Sequence, residues 1–175
     1  MGYLLTKKLD YPVAGYQANS LSFGEAVVHG KTHWGIHLGE DMVLAPDTPI
    51  LSIGRGRVVY AALHPGSEKK PNWGNVMIIA HKNPKTSTPF FSLYGHLGEM
   101  RKQKGESVEL GEVIGTIGKS NTPENGWWEA PHLHFSIYVG PWRGSVLPGY
   151  FKEGQKRTQM DWWVRPSEMI ANYGA

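Results

Sequence analysis

Two histidines separated by one residue, His132 and His134, carry the strongest chemical signal in this sequence. Side chains alternate along a β-strand, so both imidazoles point to one face while Leu133, Phe135 and Ile137 point to the other. The apolar face predicts contact with a core, and the imidazoles then line a groove. Neighbouring imidazoles on such a strand are stable when they bind a metal, form hydrogen bonds or contact water.

His37 and Asp41 form a second group that offers an imidazole and a carboxylate. A fully extended chain would hold residues four apart at about 13 Å, whereas zinc ligands lie about 2.0 to 2.2 Å from the metal. The chain must bend if both bind one ion, and Gly39 permits that bend. With one histidine from the other strand, the group supplies the three protein ligands of a catalytic zinc site. His33 and His37 form a competing pair with the same spacing, and spacing alone leaves both open.

A third group lies around His96. Alternation along a strand predicts Ser92, Tyr94 and His96 on one face, with Leu93 on the other. His96 follows Gly95 near the predicted end of the strand, where a side chain can line a cleft.

The elements that must position these residues are predicted to be β-strands. The sequence contains 22 glycines and 12 prolines spread between short segments of period two, which favours tight turns and antiparallel strands. We predict an all-β antiparallel sandwich or partly open barrel with a groove and a short C-terminal helix over 166–173. The predicted strands cover 50–53, 56–62, 75–81, 90–96, 112–117 and 132–138. We expect an N-terminal arm (1–30), a β domain (31–142) and a C-terminal extension (143–175) packed on that domain.

Composition excludes several classes of function. The chain has 175 residues and no cysteine, so disulfides, thiol nucleophiles and cysteine-ligated zinc are absent. The net charge of +3 comes without a basic cluster, so we expect no nucleic-acid partner. No apolar stretch approaches the roughly 20 residues of a membrane span, and we see no secretory signal near Met1.

The three groups together resemble the ordered motifs of the lysostaphin/LytM-type zinc metallopeptidases, which are bacterial peptidoglycan endopeptidases. That family uses H-x-G-x-D, Y-x-H and H-x-H motifs in this order, and their joint occurrence is specific. The family commonly continues D-I-A-x-P-x-G-T-P-V, and Asp41 to Ile50 aligns with this stretch without a gap. This register selects His37 and Asp41 over the pair of His33 and His37. The resemblance covers residues 33 to 140.

The resemblance implies the duplicated hybrid motif fold and the role of each residue. His37, Asp41 and His134 would ligate Zn²⁺, and His96 and His132 would be the catalytic pair that does not bind it. Zinc would lower the pKa of its bound water toward about 7 and polarise a peptide carbonyl. Water would then attack that carbonyl while the two histidines handle protons and the oxyanion, and the division of roles between them stays open.

The implied function is hydrolysis of peptide bonds in peptidoglycan stems or cross-bridges, outside the cell or in the periplasm. The alternatives are a regulatory or wall-binding module without activity and a zinc peptidase that cleaves another peptide. Departures from the family pattern are Asp47, Ser136 and a longer loop over 121–130, which bears on specificity. We further expect a solvated Glu40 and a structural role for His81.

Overall fold

The computed structural model describes residues 2–173, except for the side chains of His29 and Thr158. Met1, Gly174 and Ala175, the outermost residues of the two predicted terminal segments, lie outside the described residues. The strands are β1 (Ala26–His29), β2 (Thr32–His37), β3 (Glu40–Val43), β4 (Pro49–Leu51), β5 (Gly56–His64), β6 (Gly74–Lys82), β7 (Pro89–Met100), β8 (Ser107–Val108), β9 (Val113–Ile117), β10 (His132–Tyr138), β11 (Tyr150–Phe151) and β12 (Trp163–Val164). A 3₁₀ helix covers Arg157–Trp162, and the helix α1 covers Pro166–Ala171.

The strands form two antiparallel sheets. In the nine-stranded sheet the main path runs β12-β10-β7-β6-β5-β8, with β3 beside β10 and with β9 joining β4 to β7. The smaller sheet has the order β1-β2-β11. The central pairs β5–β6, β6–β7 and β7–β10 are all antiparallel, and the sheet does not close into a barrel.

Both faces of the large sheet are covered, which explains its continuous apolar strands. Along β6, Met77 and Ile79 pack on one face, while Ile78 and Ala80 pack on the other. The first face also receives Ile170 of α1, and the second receives Trp163 of β12. Val13 near the N-terminus also packs on the first face, so residues near both termini contribute to the sandwich that fixes the strands of the site.

The predicted architecture is confirmed: the fold is antiparallel, open and nearly all β, and it has one short C-terminal α-helix. The six predicted strands correspond to β4, β5, β6, β7, β9 and β10. The helix ends at Ala171 rather than at residue 173, because Asn172 has φ −100° and ψ 3°. The hairpin of β1 and β2 and the strands β3, β8, β11 and β12 lie outside the predicted set.

Residues 2–173 contain no helix long and apolar enough to cross a membrane.

Candidate active site

Strand β10 carries His132 and His134 on its groove face, as its alternation predicts. Leu133, Phe135 and Ile137 are fully buried in the core behind it. The antiparallel pairing of β10 with β3 places His134 directly opposite Asp41. One imidazole and one carboxylate are thereby held on neighbouring strands.

His37 reaches the same point from the end of β2. The chain breaks between β2 and β3 at Leu38 and Gly39, which supplies the bend that the spacing requires. Asp41 Oδ1 lies 2.9 Å from His134 Nδ1 and 3.2 Å from His37 Nε2. The two ring nitrogens lie 3.0 Å apart, so the three side chains offer three ligand atoms at one point. His33 is exposed and lies outside this cluster.

The chemistry of this cluster fits a metal ion better than a hydrogen-bonded network. Asp41 Oδ1 is buried and, despite the two close nitrogens, accepts no hydrogen bond of suitable geometry from the described residues. Burial favours a raised pKa for Asp41, but His134 and His37 outweigh it and hold that pKa well below its usual range. Ligand atoms around a tetrahedral zinc lie about 3.3 Å apart for bonds of about 2.0 to 2.1 Å. The separations observed are close to that value.

In His37 and in His134, the ring nitrogen that points away from the cluster lies close to an oxygen atom. Ser136 Oγ lies 2.7 Å from His134 Nε2, and the carbonyl oxygen of Ser22 lies 3.2 Å from His37 Nδ1. When each outward nitrogen donates its hydrogen to that oxygen, the inward nitrogen presents a lone pair to the cluster. This is the arrangement that metal-ligating histidines require.

His96 reaches the groove by leaving the alternation of β7, so the prediction that Tyr94 and His96 share a face is wrong. Tyr94 is fully buried in the core, and its hydroxyl accepts a hydrogen bond from the Ile53 N–H. The register of β7 with β6 shifts between Tyr94 and Leu97, across His96, whose φ is +62°. A second shift, with β9, follows between Leu97 and Met100. A bulge of this kind re-aims a side chain. The backbone holds the strained residue through its N–H to Trp73 and its carbonyl to Gly118.

His96 and His132 form a second pair beside the cluster. Their ring centroids are 4.3 Å apart, and His132 Nε2 lies 4.0 Å from Asp41 Oδ2. His96 Nδ1 lies 3.1 Å from the carbonyl of Asn125, and His132 Nδ1 lies 2.8 Å from that of Ala130. Burial first, and the neighbouring histidines second, hold the pKa of His96 well below its ordinary value. His96 is therefore a neutral base near pH 7.

A groove of about 890 Å³ opens over both groups of histidines. Aromatic rings line much of it, and their contacts cross from one wall to the other. Trp34 of β2 contacts Trp128 at 5.3 Å and Tyr150 at 5.4 Å, while Trp73 packs edge-on to His134 at 4.8 Å. Trp73 and Trp128 lie on loops outside the strands. Trp34 and Tyr150 were missed, although Trp34 is adjacent to His33.

Tyr150 enters the site from the C-terminal part of the chain. Strand β11 pairs with β2 so that Tyr150 lies opposite His37, and the two rings are 5.6 Å apart. Burial, with a smaller effect of Asp41, raises the pKa of Tyr150 above its ordinary value. Its hydroxyl therefore stays protonated and can donate a hydrogen bond into the groove.

Glu40, next to Asp41 in the sequence, and His81, in the core, have structural contacts. Glu40 is 2% exposed rather than solvated, so that expectation is wrong. Its carboxylate accepts hydrogen bonds from the Tyr16 hydroxyl at 2.8 Å and from the Ser167 N–H and hydroxyl at 3.0 and 2.7 Å. His81 contacts Ser92 and a backbone carbonyl in the core, as its expected structural role requires.

Comparison with known proteins identifies relatives of this chain. The profile of peptidase family M23 matches residues 35–146. The peptidoglycan DD-endopeptidase ShyA of Vibrio cholerae is 30% identical over 130 residues, covering 74% of this chain and 26% of that protein. This chain therefore spans about a quarter of the length of that relative.

Two solved structures share the fold. The catalytic domain of lysostaphin from Staphylococcus simulans superposes with a TM-score of 0.61 at 20% identity, covering 87% of this chain and 91% of that one. A zinc containing peptidase from Vibrio cholerae gives a TM-score of 0.60 at 27% identity, covering 75% of this chain and 37% of that one.

Proposed function

Because the chain belongs to peptidase family M23, as its motifs predict, we propose that it is a zinc-dependent endopeptidase acting on peptide bonds of peptidoglycan stems or cross-bridges. One observation carries the proposal: ligand atoms of His37, Asp41 and His134 lie within 4.8 Å of one another, beside a second histidine pair in an open groove. The peptidoglycan DD-endopeptidase among its relatives supports this substrate.

In this proposal His37 Nε2, Asp41 Oδ1 and His134 Nδ1 hold the metal. Two neutral imidazoles and one carboxylate suit zinc, and three protein ligands leave the fourth position open, as in catalytic sites. Zinc bound there would lower the pKa of a water and polarise the carbonyl of the bond to be cleaved. The low pKa of Asp41 keeps the carboxylate ionised for this role.

His96 and His132 move protons in the proposed reaction. Each ring donates its Nδ1 hydrogen to a backbone carbonyl, which leaves Nε2 as the atom that accepts or releases a proton. The backbone contacts also fix the orientation of both rings. Protonated at Nε2, either ring can donate a hydrogen bond to the oxygen that gains charge when the carbonyl is attacked.

The groove suits an extended peptide. Its aromatic walls offer flat apolar surface to the backbone and to small side chains. The hydroxyl of Tyr150 and the Nζ groups of Lys70 and Lys152, three residues that line the groove, are suited to bind carbonyl or carboxylate oxygens. Such a substrate lies outside the cytoplasmic membrane, so we propose the periplasm or the cell wall as the place of action.

The test is mass spectrometry of purified peptidoglycan sacculi incubated with the zinc-loaded protein, with His132→Ala as the control. We expect new peptide ends with the wild-type protein alone, and their masses identify the bond that is cleaved. Intact sacculi, with zinc bound at the site, would contradict the proposal and favour the regulatory or wall-binding module.

A further inference from the structure

The ring of His134 lies between the ligand cluster and a single hydroxyl group. Its Nδ1 is 2.9 Å from Asp41, and its Nε2 is 2.7 Å from Ser136 Oγ. The side chains of His134 and Ser136 are 3% and 0% exposed. Both ring nitrogens of His134 therefore contact other side chains inside the protein.

The contact between Ser136 and His134 is sealed by close packing. A Cβ built at Gly39 would lie 2.6 Å from both His134 Nε2 and Ser136 Oγ. Trp73 covers the ring of His134, with Gly149 packed closely beneath the indole. Among the described residues, Ser136 is the hydrogen-bond partner of Nε2, and the contact lies in tightly packed surroundings.

We expect the hydrogen on His134 to change nitrogen when a metal binds. A neutral imidazole carries one N–H. Without metal, Nδ1 lies 2.9 Å from the carboxylate of Asp41 and 3.0 Å from His37 Nε2. The negative charge of the carboxylate favours the hydrogen on Nδ1 even though the contact is not a well-directed hydrogen bond, and Nε2 is then an acceptor. A metal on Nδ1 requires a lone pair there, so the hydrogen must then be on Nε2. The partner of Nε2 therefore has to donate in one state and accept in the other, and a hydroxyl group does both.

We propose that Ser136 is a positioning residue for metal binding, an inference that rests on the proposed zinc site. Its hydroxyl donates to His134 Nε2 in the metal-free protein and accepts the Nε2 hydrogen when the metal takes Nδ1. It thus keeps one ring orientation through both states. A carboxylate at this position would accept only, and an apolar residue would leave Nε2 unsatisfied.

Zinc affinity is the first test, measured by competition with a chromophoric chelator. We expect Ser136→Ala to weaken zinc binding by about 10- to 100-fold, the usual effect of removing the partner of a ligating histidine. Ser92→Ala is the matched control, because Ser92 forms the same hydroxyl contact with the buried His81 at 2.8 Å. Ser92→Ala should leave zinc affinity unchanged and should lower thermal stability about as much as Ser136→Ala does.

Equal zinc affinity in Ser136→Ala and in the wild-type protein would overturn the inference. Equal losses in the two serine variants would do so as well, because they would indicate general loosening. A wild-type protein that binds no zinc would instead contradict the proposed function.

The second test observes the ring directly by ¹⁵N NMR of the histidine side chains in the wild-type protein. We expect His134 to carry its hydrogen on Nδ1 without metal and on Nε2 after zinc is added. A hydrogen on Nε2 in both states would overturn the switch of the hydroxyl from donor to acceptor, whatever the substituted proteins do.

Discussion

The part of the chain that the structure describes contains two buried pairs of a histidine and a serine, which differ in the partner of the second ring nitrogen. His81 lies 2.8 Å from Ser92 Oγ, and its Nδ1 faces the carbonyl of Arg55 at 2.9 Å. His134 lies 2.7 Å from Ser136 Oγ, but its Nδ1 faces the carboxylate of Asp41 and a second imidazole.

This difference separates a structural histidine from a proposed metal ligand. A backbone carbonyl can only accept a hydrogen bond, so the hydrogen of His81 is on Nδ1. This nitrogen then has no lone pair for a metal. The carboxylate of Asp41 can itself bind a cation, and the strand register brings it opposite His134. Burial and a hydroxyl partner are thus shared by both sites. What distinguishes the proposed metal centre is that potential ligand atoms of His37, Asp41 and His134 converge at one point.

The largest expected effect is loss of metal when a proposed ligand is removed. Asp41→Ala and His134→Ala should reduce bound zinc from equimolar to near zero, because two protein ligands hold zinc weakly. The measurement is metal analysis after gel filtration. His81→Gln is the control and should keep its zinc. Equimolar zinc in the first two variants would overturn the ligand assignment.

Removing His132, one residue of the proposed catalytic pair, should affect turnover rather than metal binding. We expect His132→Ala to keep zinc and to lose about 10²- to 10⁴-fold in kcat, the range for a group that transfers protons. Peptide release from sacculi gives the rate, and metal analysis gives the occupancy. If His132→Ala lost zinc as well, His132 would belong with the ligands.

The pH dependence of stability tests His81. Burial lowers its pKa from an ordinary 6.5 to about 4, so the unfolded chain takes up a proton between these values that the folded protein does not. The free energy of unfolding should therefore fall as pH decreases from 6.5 to 4, by about 3 kcal/mol from this residue. Urea unfolding with a chelator present gives the slope. His81→Gln should show a smaller slope than the wild-type protein, and equal slopes would contradict the prediction.

The smallest effect is expected from Ser92→Ala. His81 Nε2 would lose its hydrogen-bond partner in the core, which costs about 1 to 3 kcal/mol of stability. Thermal or urea unfolding measures this loss. A drop in stability well below this range would mean that another group replaces the hydroxyl.

Local sequence patterns predicted those site residues whose positions are set by regular β-strands. The alternation in β10 gave the groove face of His132 and His134, and Gly39 marked the bend between β2 and β3. The ordered motifs predicted which residues belong together. The roles of these five residues stay predictions until the variants are measured.

His96 shows where local reasoning fails. Its side chain reaches the groove because of a positive φ and two register shifts, which depend on backbone contacts with Trp73 and Gly118. No periodic pattern in the sequence predicts these backbone contacts or register shifts. Tyr150 was missed for a related reason: β11 has only two residues and exists through its pairing with β2.

The hydrogen bonds of Glu40 reach beyond the segment that matches the family. That segment is therefore shorter than the part of the chain that holds the site in place. Residues 35–146 include Glu40 but omit Tyr16 and Ser167, the two residues whose hydroxyls hold its carboxylate. Trimming to that segment would remove the three hydrogen bonds to the Glu40 carboxylate and the guanidinium of Arg165 that lies 3.9 Å from it, and it would expose to water a carboxylate next to Asp41. We therefore expect a recombined or fused protein to keep the geometry of the site only when it carries both flanks of the chain along with the motifs.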